Sequence, residues 1–142
     1  MAREMRTSRL FHPETRDVAL KQIEADIRRL ELLCEEIKLF YGVDLKPVIR
    51  LNGTTDINWA KEAANLHQKF PHIQFYDYTK VLGRKVAHLP NYHLTFSAAD
   101  GNDADVAKAI AQGMNVAMVF DKLPETYMGK TVVDADEDDL RF

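Results

Sequence analysis

Between Pro13 and Gly42 the apolar residues Leu20, Ile23, Ile27, Leu30, Cys34, Ile37 and Tyr41 recur at alternating spacings of three and four. That period lays them along one side of an α-helix and is incompatible with a strand. Pro13 and Glu14 suit a first turn, where an amide needs no partner and a carboxylate meets the positive end of the helix dipole. Gly42 offers a left-handed stop. The spacing predicts one long amphipathic helix over residues 13–42. Leu32, Leu33, Leu39 and Phe40 widen its stripe beyond a coiled-coil seam, so the helix is expected to lie on a sheet with an edge available to a partner. Cys34, on the stripe, reads as a small buried hydrophobe rather than a reactive thiol.

After Gly42 the period becomes extended. Strands are predicted at Lys46–Leu51, with Pro47 where a missing donor does least harm, at His72–Asp77, at Asn91–Ser97 and at Asn115–Phe120. A helix with Ile57, Ala60, Ala63, Ala64 and Leu66 at helical spacing, capped by Thr55 or Asp56, runs to Phe70-Pro71. A second, Ala104–Gln112, follows the turn at Asp100–Asp103 and closes at Gly113. The stretch from Thr79 to Leu89 has no clear period, and Lys130–Val133 is a weak extended segment. The strand at 115–120 is apolar on both faces, which reads as burial on both sides. Alternating strands and helices imply parallel pairing, hence an α/β fold. The sheet is expected to be mostly parallel with four or five strands and covering helices, either open or a portion of a β/α barrel. As one domain over 1–142, it divides into a basic arm (1–12), the long helix, a β/α core (46–133) and an acidic tail (134–142).

At 142 residues, 46% apolar and 29% charged, the chain can bury a core that needs no staple. Its one cysteine makes no internal disulfide and by itself no zinc or iron-sulfur site. Apolar runs are as short as Val116–Phe120 and no leader opens the chain, so neither a membrane span nor a secretory signal is expected, and the host-cell cytoplasm is. Residues 1–50 carry 10 basic against 9 acidic side chains, 51–100 carry 5 against 4, and 101–142 carry 4 against 9. The acidic surplus is C-terminal, in Asp134, Asp136, Glu137, Asp138 and Asp139. With no basic stripe, nucleic acid is an unfavoured partner, and Arg3, Arg6 and Arg9 read as a solvated arm. The acidic tail reads as a solubilising end or as a surface that binds a basic partner or mimics phosphate.

In parallel α/β folds, ligands gather beyond the carboxyl ends of the strands. Candidate ligand-binding residues there are Arg50, Asn52 and Asp56 after the first strand, Tyr76 and Tyr78 after the second, Thr95 and Ser97 on the third, and Asp121 after the fourth. Asp77, Lys80 and His93 are the candidate catalytic residues, with Asp77–Lys80 or His93–Asp121 as acid/base pairs should the fold bring them together. Against this, Asn52 and Asp56 are ordinary turn and cap residues, and His93 reads rather as a satisfied buried histidine. His93-Leu94-Thr95 matches half of a two-copy phosphoesterase motif, and no second copy exists. Asn52-Gly53 and Gly101-Asn102 sit where phosphate can be captured, but Asp56, Asp100, Asp103 and Asp105 would repel it, so both read as turns. The five histidines show no metal-ligand spacing, and no cofactor is called for.

The segments Arg50–Trp59, Gln74–Val81, Asn91–Ser97, Asn115–Phe120 and Gly129–Phe142 resemble, in order, the core blocks of a bacteriophage and prophage family labelled gene-product-88-like, whose members have no established activity. The resemblance implies a mobile-element origin and a β/α layout. It also implies longer relatives with an upstream cysteine-rich segment and a further strand beyond Phe142. This chain is then expected to be a shortened form without cluster chemistry, leaving an edge or face that self-association or a partner protein covers.

Two function classes follow. The first is a phage or mobile-element protein acting by protein–protein interaction, as a homodimer bound to a host or phage protein, against a host defence in the anti-CRISPR manner or against a replication complex. The alternative is an enzyme with an acid/base site at the strand ends, acting on a phosphorylated or nucleotide ligand, an idea to be abandoned if Asp77 and His93 lie on opposite faces of the sheet. A nucleic-acid accessory factor is a weaker third reading.

Overall fold

The computed structural model describes residues 12–137. Helix α1, Pro13–Tyr41, is the long helix the apolar period predicts, and it closes on Gly42, whose backbone is left-handed (φ 69°) and whose N–H donates to Lys38 O. Then come β1 (Val48–Arg50), α2 (Trp59–Glu62), α3 (Ala64–Lys69), β2 (Gln74–Thr79), β3 (Tyr92–Ser97), α4 (Asp103–Ala111), β4 (Val116–Ala117), β5 (Thr126–Tyr127) and β6 (Lys130–Thr131). Strands β1 to β4 form one parallel sheet in chain order, and β5 and β6 pair as a small antiparallel ribbon. The fold is α/β.

Each strand of the main sheet is laid beside the one before it, always on the same side. Right-handed crossovers in that order put every connecting helix on one face, as in the wall of a β/α barrel; a doubly wound sheet instead reverses direction part-way. The packing agrees. Ile49, Phe75, Leu94, Phe96 and Val116 all point to the face where Ile27 of α1, Trp59 and Ala60 of α2, Leu66 of α3 and Val106 and Ala109 of α4 are packed. Val48, Arg50, Gln74, Tyr76, Tyr78, His93, Thr95 and Ser97 alternate with them and belong to the opposite face.

This one-sided covering corrects the reading of the fourth strand. Only Val116 and Ala117 pair, and Val119 is 96% exposed. Val116 and Met118 of that run pack on the side that the helices cover, while Val119 is exposed, so the run is not buried on two faces. The helix expected from Ile57 to Leu66 is also broken, at Ala63 (φ −147°). Its predicted caps are occupied elsewhere: Thr55 Oγ1 donates to Asn52 Oδ1 and Asp56 pairs with Arg84, so Asn58 caps α2 instead. Strand β2 starts and ends two residues later than expected, which places Tyr76, Asp77 and Tyr78 within the strand rather than at its carboxyl end.

Helix α1 is held by its first two-thirds. Arg16 reaches Glu62, Lys69 pairs with Glu24 (2.6 Å), His72 with Glu31, and the Arg28 guanidinium lies over the Phe70 ring (5.3 Å). Beyond Glu31 the helix continues with Leu32, Leu33, Leu39, Phe40 and Tyr41 exposed. Among the described residues no helix is long and apolar enough to cross a membrane.

Candidate functional site

The chain leaves β1 at Arg50 and turns back on itself through Asn52, which is buried. Its amide organises the turn. Asn52 Oδ1 accepts from Thr55 Oγ1 (2.9 Å), the Ile57 N–H (3.0 Å) and Trp59 Nε1 (3.0 Å), while Nδ2 donates to Ile57 O (2.9 Å). The backbone N–H of Asn52 donates to Asp77 Oδ1 (2.7 Å), and the Tyr92 hydroxyl donates to Asp77 Oδ2 (3.0 Å). Asp77 is 1% exposed. Burial pushes its carboxyl up to about 6 against the pull of those two donors, and burial, then the Asp77 charge, pushes the Tyr92 hydroxyl well above its ordinary value. Both oxygens of the carboxyl are taken by donors inside the fold. This group ties β1, β2, β3 and α2 together.

Next to it Arg84 joins two loops. Its guanidinium pairs with Asp56 Oδ1 (2.7 Å) and donates to Asp56 O (2.7 Å) and Ile57 O (3.2 Å), and the Lys80 N–H donates to Asp56 Oδ2 (3.0 Å). Between the loops, beyond the ends of β1 and β2, opens a cleft of about 880 Å³ with Asn58, Lys61, Lys85 and His88 among its lining residues.

The predicted acid/base sets are not brought together. Asp77 is level with Leu94, and Tyr76 with His93, so Asp77 and His93 lie on opposite faces of the sheet. His93 is the second residue of β3, near the amino end of the strands, whereas Asp121 follows the carboxyl end of β4 and is exposed. The Lys80 side chain is exposed past the end of β2, and only its backbone joins the strand-end network. Among the ligand candidates, Asn52 and Asp56 belong to the network. Arg50 stacks on the Tyr78 ring (4.6 Å) and donates to Asn52 O (3.1 Å), and Tyr76 and Tyr78 meet edge to face (6.2 Å). These two tyrosines, Thr95 and Ser97 share the sheet face away from the helices, with His93 Nε2 placed 3.3 Å from Asn115 Nδ2. Burial lowers the His93 pKa.

Sequence reasoning missed Tyr92, Trp59 and Arg84. Tyr92 read as one more strand residue, and the only available signal for Trp59 was its place seven residues after Asn52. A further unpredicted group is His67, packed at a tilt between the rings of Phe75 (4.7 Å) and Tyr92 (4.6 Å), with Nδ1 3.2 Å from Ala63 O, Nε2 buried without a hydrogen-bond partner, and its pKa lowered chiefly by burial. Of the acidic tail, Asp136 and Glu137 are exposed, Asp134 is half-buried and its Oδ1 accepts from the Asp136 N–H (2.9 Å). Asp138 and Asp139, like the arginines of the N-terminal arm, lie outside the described residues. No cluster of three or more His, Cys, Asp or Glu side chains suited to a metal ion occurs among the described residues.

The family model for gene product 88 matches residues 1–142. The chain belongs to the gene product 88 family. The match spans all the sequence blocks that carry the resemblance, together with the long helix before them. Gene product 88 is a phage-type family, and membership brings an origin without a reaction. No curated protein and no solved structure matches the chain.

Proposed function

We propose that this member of the family is an interaction protein: a homodimer that binds a host or phage protein and interferes with a host defence, in the anti-CRISPR manner, or with a replication complex. The observation that carries this reading is the apolar surface outside the core. Leu32 and Leu33 and, two turns on, Leu39 and Phe40 of α1 are exposed, as are Val43 and Leu45 in the loop that follows. Soluble monomers rarely leave apolar patches larger than a few hundred Å². The strand-end carboxylate, meanwhile, is sealed into the fold. The acidic tail gives the partner its character, a basic surface, through Asp134, Asp136 and Glu137.

The test is affinity purification of the tagged full chain from its bacterial host. Wild type is expected to retain a specific protein, and D134N/D136N/E137Q to retain about tenfold less of it, since each rim charge contributes up to ~1 kcal/mol. A wild-type chain that retains nothing contradicts the reading.

The cleft beyond β1 and β2 favours a second reading, a site for a phosphorylated or nucleotide ligand held by Lys61, Lys85 and His88 rather than by Asp77 and His93. Under that reading, K61A/K85A weakens binding of inorganic phosphate or a nucleotide by about tenfold or more, as two charge-assisted contacts demand, measured by calorimetry. A titration that the two substitutions leave unchanged removes it.

A further inference from the structure

Resting on the homodimer reading, we infer the surface that makes the dimer: the outward side of the distal half of α1, paired antiparallel with the same side of a second copy. Helix α1 docks through Arg16, Ile23, Ile27 and Glu31. On the opposite side, at spacings of three and four, stand Arg29, Leu32, Leu33, Glu36, Leu39 and Phe40, and the four apolar members are 59%, 50%, 80% and 75% exposed. The two charged members are one cation and one anion a heptad apart. Glu36 is exposed, and Arg29 makes only a loose contact with Asp26 (3.7 Å) among the described residues.

That arrangement is self-complementary in one direction. With two such helices antiparallel, Arg29 of one copy is level with Glu36 of the other, twice over, and Leu32 of one packs on Leu33 of the other at the two-fold axis. A parallel pair would set Arg29 beside Arg29 and Glu36 beside Glu36. The register overlaps residues 24 to 41, ~27 Å at ~1.5 Å per residue. It lays Phe40 beside the second copy's Ala25, on the side of the helix away from its domain, so the two domains do not collide. A contact of this length is at the small end of specific interfaces, on the order of 1,000 Å² in total, and a micromolar dimer is expected.

The experiment is sedimentation of the full chain over about 1 to 200 μM, a range that brackets such an affinity. Wild type is expected to pass from monomer to dimer. E36R and R29E, each replacing two attractions by two repulsions, should raise the dissociation constant about tenfold or more, and R29E/E36R should return it to within about threefold of wild type. L33E, at the two-fold, should leave a monomer with unchanged helical circular dichroism. Restoration by the double reversal is a readout that no folding defect reproduces. A wild-type monomer throughout, or a dimer indifferent to L33E and to both single reversals, overturns the inference. The broader reading fails separately: a monomer that still captures a host protein through its acidic end refutes this seam and leaves the interaction intact, whereas a dimer that obeys the charge swap but captures nothing supports the seam and refutes the interaction.

Discussion

Replacing Asn52 with alanine is expected to destabilise the protein by about 3–5 kcal/mol, a large part of the ~5–15 kcal/mol that holds a domain together. The side chain makes four hydrogen bonds inside the protein, and alanine reproduces none of them. Its loss strands the Ile57 N–H and the Trp59 indole N–H in a site that water does not reach, at ~1–3 kcal/mol for each unsatisfied donor. Part of the lost network is the turn that presents the Asn52 N–H to Asp77, so damage spreads from β1 to β2. Urea unfolding followed by tryptophan fluorescence is well placed to see it, since Trp59 is the only tryptophan. Destabilisation below about 1 kcal/mol would mean that the turn closes without its hub.

Asp77→Asn should change the pH dependence of stability more than any other single substitution here. The folded carboxyl is pushed up to about 6 from an ordinary 3.8, so the folded protein holds this proton more tightly than the unfolded chain. Asp77 therefore contributes its stability fully below about pH 4 and loses it as pH rises through about 6, a loss of ~2–3 kcal/mol. Asparagine keeps an oxygen for the Asn52 N–H, offers its amide to the Tyr92 hydroxyl oxygen and carries no charge at any pH. D77N should match wild type near pH 4 and exceed it by ~2–3 kcal/mol near pH 8. His67, whose folded pKa is lowered, acts in the opposite sense, removing stability as pH falls below its ordinary 6.5, but it does so equally in both proteins and cancels in the comparison. A D77N protein less stable than wild type at pH 8 would show that the ionised carboxylate is needed.

Local signals on the chain carried the architecture a long way. The spacing from Leu20 to Tyr41 and the glycine after it define α1 nearly to the residue, and the alternation of strands with helices gives the parallel sheet. Which side of each strand faces the helices was harder to see. Phe75, Asp77 and Thr79 share the buried side of β2, and a carboxylate among inward residues reads as a strand end until its two donors, fifteen and twenty-five residues away in sequence, are in place. The run Val116–Phe120 misled for a related reason: composition reports that a segment is apolar, but not that a sheet wound in one direction has its helices on one side only. Arg84 falls in a stretch without period because its role is to join loops, and such contacts leave no mark on hydrophobic spacing. The strand-end candidates Asn52, Asp56 and Asp77 do cluster, but as a mutual network, and the pairing of Asp77 with His93 dissolves once strand parity is fixed.

The proposed function is work through the surface, by binding a host or phage protein, rather than chemistry at the strand ends. Its most direct test is a side-by-side comparison, by quantitative mass spectrometry, of the host proteins retained by tagged wild type, K61A/K85A and D134N/D136N/E137Q. Equal retention of one partner by wild type and K61A/K85A, with loss from the acidic variant, is the predicted result. Loss confined to K61A/K85A, or no partner on the wild-type chain, would contradict it.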